Sequence, residues 1–275
     1  MIKRVLVGIG DQRYTVSATK HAIDVACHSN AKLTAMSVLD STKIQSKRAA
    51  PISLGAAGSA RRNEILHETE EVVRESSDVF VQVCESLNFE CDVVNCSGDP
   101  LQEFIDHSRY YDFFVFGLHG LFDHGVLDDP PDILVKLISS GVYPILAVPD
   151  FYKPIERVVI AYSGSMESSR TLRSFVQHKH LWPLTDIRIV KFGKDSSQGY
   201  ADLIQARNYL SDHGCECSIH FVEDSSFDVS EFAAKWNADL IVMGNSAKNL
   251  LRRRIFGETA LKTIRQARIP LFLAQ

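Results

Sequence analysis

Asp112-Phe113-Phe114-Val115-Phe116-Gly117 returns as Asp239-Leu240-Ile241-Val242-Met243-Gly244. Each copy is an acidic residue, four large apolar residues and a glycine. That is the pattern of a strand buried on both faces and ended by a turn. Working outward, Lys3-Arg4-Val5-Leu6-Val7 precedes the first copy and Glu156-Arg157-Val158-Val159-Ile160 the second. Pro144-Ile145-Leu146-Ala147-Val148 follows the first and Pro270-Leu271-Phe272-Leu273-Ala274 the second. Between opening and closing runs, Glu90-Cys91-Asp92-Val93 matches Glu216-Cys217-Ser218-Ile219. Four matches in one order describe an internal repeat.

The offsets locate a difference between the copies. The opening runs are 153 residues apart (157 minus 4), whereas the Glu-Cys and closing runs are 126 apart (216 minus 90, 270 minus 144). The first copy therefore carries 27 extra residues (153 minus 126), between its second and third strands. Lys47-Arg48-Ala49-Ala50-Pro51 and Leu54-Gly55-Ala56-Ala57-Gly58-Ser59 fall there and predict a mobile loop. A long helix is expected next, from about Arg61 to Leu87, with Ile65, Val72, Val73, Val79, Phe80 and Val83 on one face.

Helical spacing also marks Val16–Cys27, the stretches around Phe175 and Leu210, and short helices at Leu101–Ile105 and Val229–Ala233. Each copy then reads βαβαβαβαβ, a parallel sheet covered on both faces. The expected architecture is α/β, two tandem open-twisted five-stranded parallel-sheet domains at residues 1–150 and 155–275. The joint Asp150-Phe151-Tyr152-Lys153-Pro154 is too short for a free tether, so the halves should pack together.

Composition narrows the function classes. The chain has 275 residues, 45% hydrophobic and 23% charged, which excludes a disordered, collagenous or purely coiled-coil protein. A net charge of −4 gives no bulk attraction to nucleic acid or an anionic membrane. No apolar stretch approaches the roughly 18 residues of a membrane span. Six scattered cysteines are not a disulfide framework in a chain of this size, and predict a reduced, cytoplasmic protein.

The opening Arg-Val-(Leu/Val)-(Val/Ile) strand, the Asp-x-(Ile/Val)-Val-Met-Gly strand and the closing Pro-x-x-x-(Val/Ala) strand resemble the universal stress protein family in its tandem form. The resemblance covers nearly the whole chain. It implies an adenine nucleotide alpha hydrolase-like, Rossmann-like fold, with a site for ATP or AMP in some members. Those members carry Gly-x2-Gly-x9-Gly-(Ser/Thr) after the fourth strand and an Asp at the end of the first, which contacts the nucleoside. It also implies that the closing strands pair across a two-fold axis, so that one chain mimics a family dimer. A further homodimer is compatible with it. The physical basis of such a site is independent of family: ligands of open parallel sheets sit beyond the strands' carboxyl ends, where glycines admit phosphate to the backbone.

In the second half, Gly244 and Gly257 match the loop. Ala247 replaces the middle glycine, Glu258 the Ser/Thr, and Thr259 lies one residue late; Ser246 is a further donor. Ser163, after Ala161 and Tyr162, stands where the family has Asp, and Phe192 aligns with a position that contacts the nucleoside through its backbone. By resemblance the site residues are Ala161, Tyr162, Ser163, Phe192, Met243, Gly244, Ser246, Ala247, Arg254, Gly257, Glu258 and Thr259. In the first half Gly117 and Gly120 match, but Pro130-Pro131 replace the closing Gly-Ser and remove two N–H donors. Asp128 and Asp129 add negative charge, and Gly10, beside Asp11, replaces the family Asp. Any nucleotide is therefore expected in the second half.

Other clusters have two readings each. Lys248 with Arg252-Arg253-Arg254 either neutralises a bound anion or forms a solvated, ion-paired loop. His213-Gly214-Cys215-Glu216-Cys217-Ser218-Ile219-His220 has zinc-capable types, yet on a strand Cys215 and Cys217 face one side and His220 the other. A core position for the cysteines is the competing reading. His119, Asp123, His124, Asp128 and Asp129 offer metal or acid–base chemistry, or a polar surface loop. Ser163-Gly164-Ser165 reads as a helix cap rather than a nucleophile. No catalytic residue and no metal site is assigned. The expected role is regulatory or stress-protective, with at most weak ATP hydrolysis and no nucleic acid or membrane partner. The alternative is an interaction or scaffold protein of the same fold.

Overall fold

A computed structural model describes residues 1–10, 12–40, 55–118, 130–142, 144–223, 229–244, 263 and 267–274, with backbone alone at 40, 55–69, 130–133 and 135. In chain order the elements are β1 (Arg4–Gly8), α1 (Gln12–Ser29), β2 (Lys32–Asp40), α2 (Gly55–Ser86), β3 (Cys91–Gly98), α3 (Pro100–Ser108), β4 (Phe113–Gly117), α4 (Pro130–Ser139) and β5 (Ile145–Val148). They continue with β6 (Arg157–Ala161), α5 (Met166–His178), a single 3-10 turn (Lys179–Leu181), β7 (Asp186–Phe192), α6 (Ser196–Asp212), β8 (Ser218–Val222), α7 (Val229–Trp236), β9 (Leu240–Gly244) and β10 (Leu271–Ala274).

The helix ends have local causes. Asp99, Ser165 and Asp195 cap α3, α5 and α6, each accepting from N–H groups of the first turn. Pro100 opens α3, where a missing N–H costs nothing. After α1, α2 and α7 the left-handed residue is an asparagine: Asn30, Asn88 or Asn237. The N–H of the residue after each asparagine reaches back to close the end, as in Ala31 to Ala26 and Ala238 to Ala233.

Among the described residues ten strands form one sheet, in the order β3-β2-β1-β4-β5-β10-β9-β6-β7-β8. Every pairing is parallel except β5 with β10, where Leu271 faces Ala147, Phe272 faces Leu146 and Leu273 faces Ile145. The two proline-led closing runs thus meet at the seam, as the resemblance implied. One apolar cluster lies beneath α1, α2, α5 and α6, and a second beneath α3, α4 and α7; both run across the seam.

The repeat's aspartates have a structural task. The Asp112 carboxylate accepts from the N–H groups of Lys3 (2.8 Å) and Arg4 (3.0 Å). Asp239 does the same for Glu156 (3.2 Å) and Arg157 (2.9 Å) and also pairs with Lys153. Each aspartate therefore pins the opening strand of its half beside the fourth strand.

Two expectations need correction. Gly55–Ser59 lies in α2, not in a loop; Ala56, Ala57 and Ala60 are strong helix formers, and two glycines near the start of a 32-residue helix do not break it. The remaining loop residues, 41–54, lie outside the described residues. The described buried line of α2 is Ser76, Ser77, Phe80 and Cys84, with Val72, Val73, Val79 and Val83 only half-buried. Cys215 and Cys217 precede β8 rather than lying on it, because the helix-end turn through Gly214 (φ +71°) extends to Cys215, whose N–H bonds to the Leu210 carbonyl. All six cysteines are unpaired. Among the described residues no helix is long and apolar enough to cross a membrane.

Candidate functional site

The strand order reverses between β1 and β4 in the first half, and between β6 and β9 in the second. At these switch points neighbouring connections leave in opposite directions, which opens a crevice at the carboxyl ends. In the second half Ala161 and Met243 are register partners at those ends. Ala161, Met243 and Phe192 pack on the same apolar cluster, so three expected site residues share one face of the sheet. Tyr162 lies on the opposite face, with its hydroxyl 3.1 Å from Ser169 Oγ; its N–H extends the strand by bonding to the Val190 carbonyl (2.9 Å).

Beyond Tyr162 the chain turns through Ser163-Gly164-Ser165 into α5. Ser163 Oγ lies 3.0 Å from Ser165 Oγ and 3.2 Å from Ser168 Oγ. Ser165 accepts from the Ser168 N–H as the cap of α5. Gly164 has φ +82°, the left-handed region, and a Cβ there would meet the Asp202 carboxylate at 2.6 Å. Asp202 is ion-paired with Lys191 and accepts from Gln198 (2.9 Å). The Lys191 hydrogen bond holds the Asp202 carboxyl below its ordinary range. Sequence reasoning missed this pair. Its members lie 11 residues apart on a strand and a helix, and only the fold joins them.

Gly244 closes β9 against α5. A Cβ on it would lie 2.7 Å from Thr171 Oγ1 and 3.2 Å from the Glu167 carbonyl oxygen. The corresponding glycine of the first half, Gly117, has a different neighbour. There a Cβ would meet Cβ and Cγ of Tyr14, at 2.7 and 2.8 Å. Tyr14 lies under the Arg13 guanidinium (5.6 Å) and packs against Gly117. Tyr14 was also missed; the opening-strand offset of 153 sets it opposite Glu167, so the repeat alignment carried the signal.

Ser246, Ala247, Arg254, Gly257, Glu258 and Thr259 lie outside the described residues, as do Lys248, Arg252, Arg253, His119, Gly120, Asp123, His124, Asp128, Asp129 and Asp11. Pro130 and Pro131 open α4. The zinc-capable residues of 213–220 do not converge: His213 Nδ1 lies 2.8 Å from the Tyr209 carbonyl and His220 Nε2 3.2 Å from Ser218 Oγ. Cys215 is buried, and burial pushes the Cys217 thiol up to about 11.

The sequence model described as the Universal stress protein family matches residues 1–120 and 211–275. The Synechocystis protein named Universal stress protein Slr1230 is 26% identical over 139 residues, which are 50% of this chain and 48% of that protein. The match thus spans about half the length of that curated relative. A universal stress protein from Archaeoglobus fulgidus, solved as a crystal structure, is 18% identical, covers 98% of this chain and 96% of that one, and has a TM-score of 0.63. A functionally unknown protein of Pseudomonas aeruginosa PAO1 is 16% identical, with coverage of 99% and 92% and a TM-score of 0.60. At these identities the two structures show the shared fold alone.

Proposed function

We propose that this chain, which belongs to the universal stress protein family, is a cytoplasmic regulatory protein with two domains, 1–150 and 155–275, and binds an adenine nucleotide, ATP or AMP, in the second. The observation that carries this reading is the contrast between the two switch points. In the second half, Gly244 abuts the Thr171 hydroxyl and the Glu167 backbone of α5, the helix that Ser165 caps. In the first half an aromatic ring covers the equivalent glycine. The basic residues Lys248 and Arg252–Arg254 of the second loop add charge of the right sign for phosphate. Binding is the proposed task; no side chain here is assigned to activate a water, and any ATP hydrolysis is incidental.

A second reading, an interaction protein that has lost the ligand, is favoured by Ser163 in place of the family Asp and by Glu258 in the phosphate loop. One substitution separates the two. Ser163→Asp returns the carboxylate that accepts from a nucleoside hydroxyl, and charge-assisted hydrogen bonds are worth about 1.5–3 kcal/mol. On the nucleotide reading, calorimetric ATP affinity rises about tenfold in Ser163→Asp. Absence of ATP binding in both wild type and variant favours the interaction reading.

A further inference from the structure

The edge strand β3 and the helix that follows it bring together three side chains of different chemistry. Cys96 projects from β3, in register with Val38 of β2. Asp99 caps α3, and Pro100 fixes its first turn. Glu103 and His107 stand four residues apart on α3 and so share one helix face. The Cys96 thiol, the Glu103 carboxylate and the His107 imidazole each offer a donor atom, and these atoms lie within 4.8 Å of one another.

The surroundings prepare them as ligands. His107 Nδ1 lies 3.0 Å from the Glu103 carbonyl oxygen, which can only accept, so Nδ1 carries the ring proton. That leaves the Nε2 lone pair 3.9 Å from Cys96 Sγ, with Glu103 Oε2 lying 3.9 Å from Nδ1. A backbone carbonyl that orients one ring nitrogen so that the other binds a metal is a recurring outer-shell device. Gly98 leaves the carboxylate its seat: a Cβ there would come within 2.6 Å of Glu103 Oε1. The side chains of His107 and Glu103 are 36% and 31% exposed, which leaves an approach from solvent. Without an ion, the thiol has only a weak contact with the imidazole, and burial with the Glu103 charge keeps it protonated.

We propose that Cys96, Glu103 and His107 form a three-ligand site for a borderline-soft divalent cation, with zinc as its occupant. Sulfur, imidazole and carboxylate together are the donor set that suits zinc, and three protein ligands leave a fourth, tetrahedral position for water. On binding, the Cys96 S–H bond breaks, its proton passes to solvent and the thiolate sulfur bonds the metal. Thiolate and carboxylate then balance the charge of the ion. The bound ion ties α3 to the edge strand β3.

The test uses the reduced full-length chain, titrated anaerobically with Co2+ and then with Zn2+. Wild type should take up one equivalent of Co2+ with a thiolate-to-cobalt charge-transfer band and tetrahedral d–d bands, both removed by Zn2+. Cys96→Ser should lose the charge-transfer band. His107→Gln, at a half-exposed position, and Gly98→Ala, which displaces the carboxylate, should each weaken Zn2+ binding about tenfold or more. Cys217→Ser should leave both signals unchanged. No charge-transfer band in wild type, or the same band and affinity in Cys96→Ser and His107→Gln, overturns the site.

Discussion

Phe272→Ala is expected to destabilise the protein by about 3–5 kcal/mol, the range for emptying a buried aromatic site. Phe272 is fully buried on β10, one of the two strands that form the antiparallel seam. Its ring lies 6.3 Å from Phe113 of the first half, and 6.4, 5.9 and 5.9 Å from Phe175, His178 and Trp182 of the second. The edge-on contacts with Phe175 and Trp182 add to the loss, since such pairs contribute about 0.5–1.5 kcal/mol beyond area. The cavity would open beneath both halves at once. Phe272→Leu keeps most of the volume and should cost far less. Urea unfolding followed by far-ultraviolet circular dichroism provides the comparison. A loss below about 1 kcal/mol in Phe272→Ala would show that the seam does not depend on this ring.

A second large effect is expected on acidification. His21 is buried on α1 with its ring tilted against that of Tyr152 at 4.8 Å, and its Nε2 has no partner among the described residues. Burial disfavours the charged imidazolium and lowers the pKa from 6.5 to about 4. The unfolded chain therefore binds a proton here that the folded chain refuses between about pH 6.5 and pH 4. Its stabilising contribution is complete above the unfolded value. It is lost as pH falls towards the folded value. At about 1.4 kcal/mol per unit the loss is about 3 kcal/mol between pH 7 and pH 4. His21→Leu removes the titration, so the stability gap between wild type and variant should shift by that amount across the window. Parallel stability curves for the two proteins would contradict this assignment.

The extent to which the sequence announced this structure differs from residue to residue. The repeated strands were legible because buried parallel strands leave unbroken apolar runs, and Asp112 and Asp239 bracketed two of them. What those aspartates do was not legible, since their N–H partners lie about 82 to 109 residues away. The two closing runs, Pro144–Val148 and Pro270–Ala274, were legible from the repeat, and their pairing at the seam from the family resemblance. The start of α2 was misplaced because glycine was read as a breaker where alanines carry the helix. The Cys215–Cys217 strand began late because a helix-end turn overrode β propensity.

At the candidate site, Ala161, Met243 and Phe192, named by the family resemblance, lie at strand ends on one face of the sheet. Tyr14 and the Lys191–Asp202 pair depend on tertiary contact, which spacing alone does not encode. The Cys96, Glu103 and His107 set escaped for a similar reason. Its spacing crosses from a strand to a helix, so neither a period of two nor one of 3.6 links its members.

The central claim is that the second half holds an adenine nucleotide. It is tested most directly by mass analysis of the small molecules released from freshly purified protein, followed by calorimetric titration of the emptied protein with ATP. The account predicts ATP or AMP in the released fraction, or saturable heat of binding on titration. No released nucleotide together with no heat at millimolar ATP would contradict it.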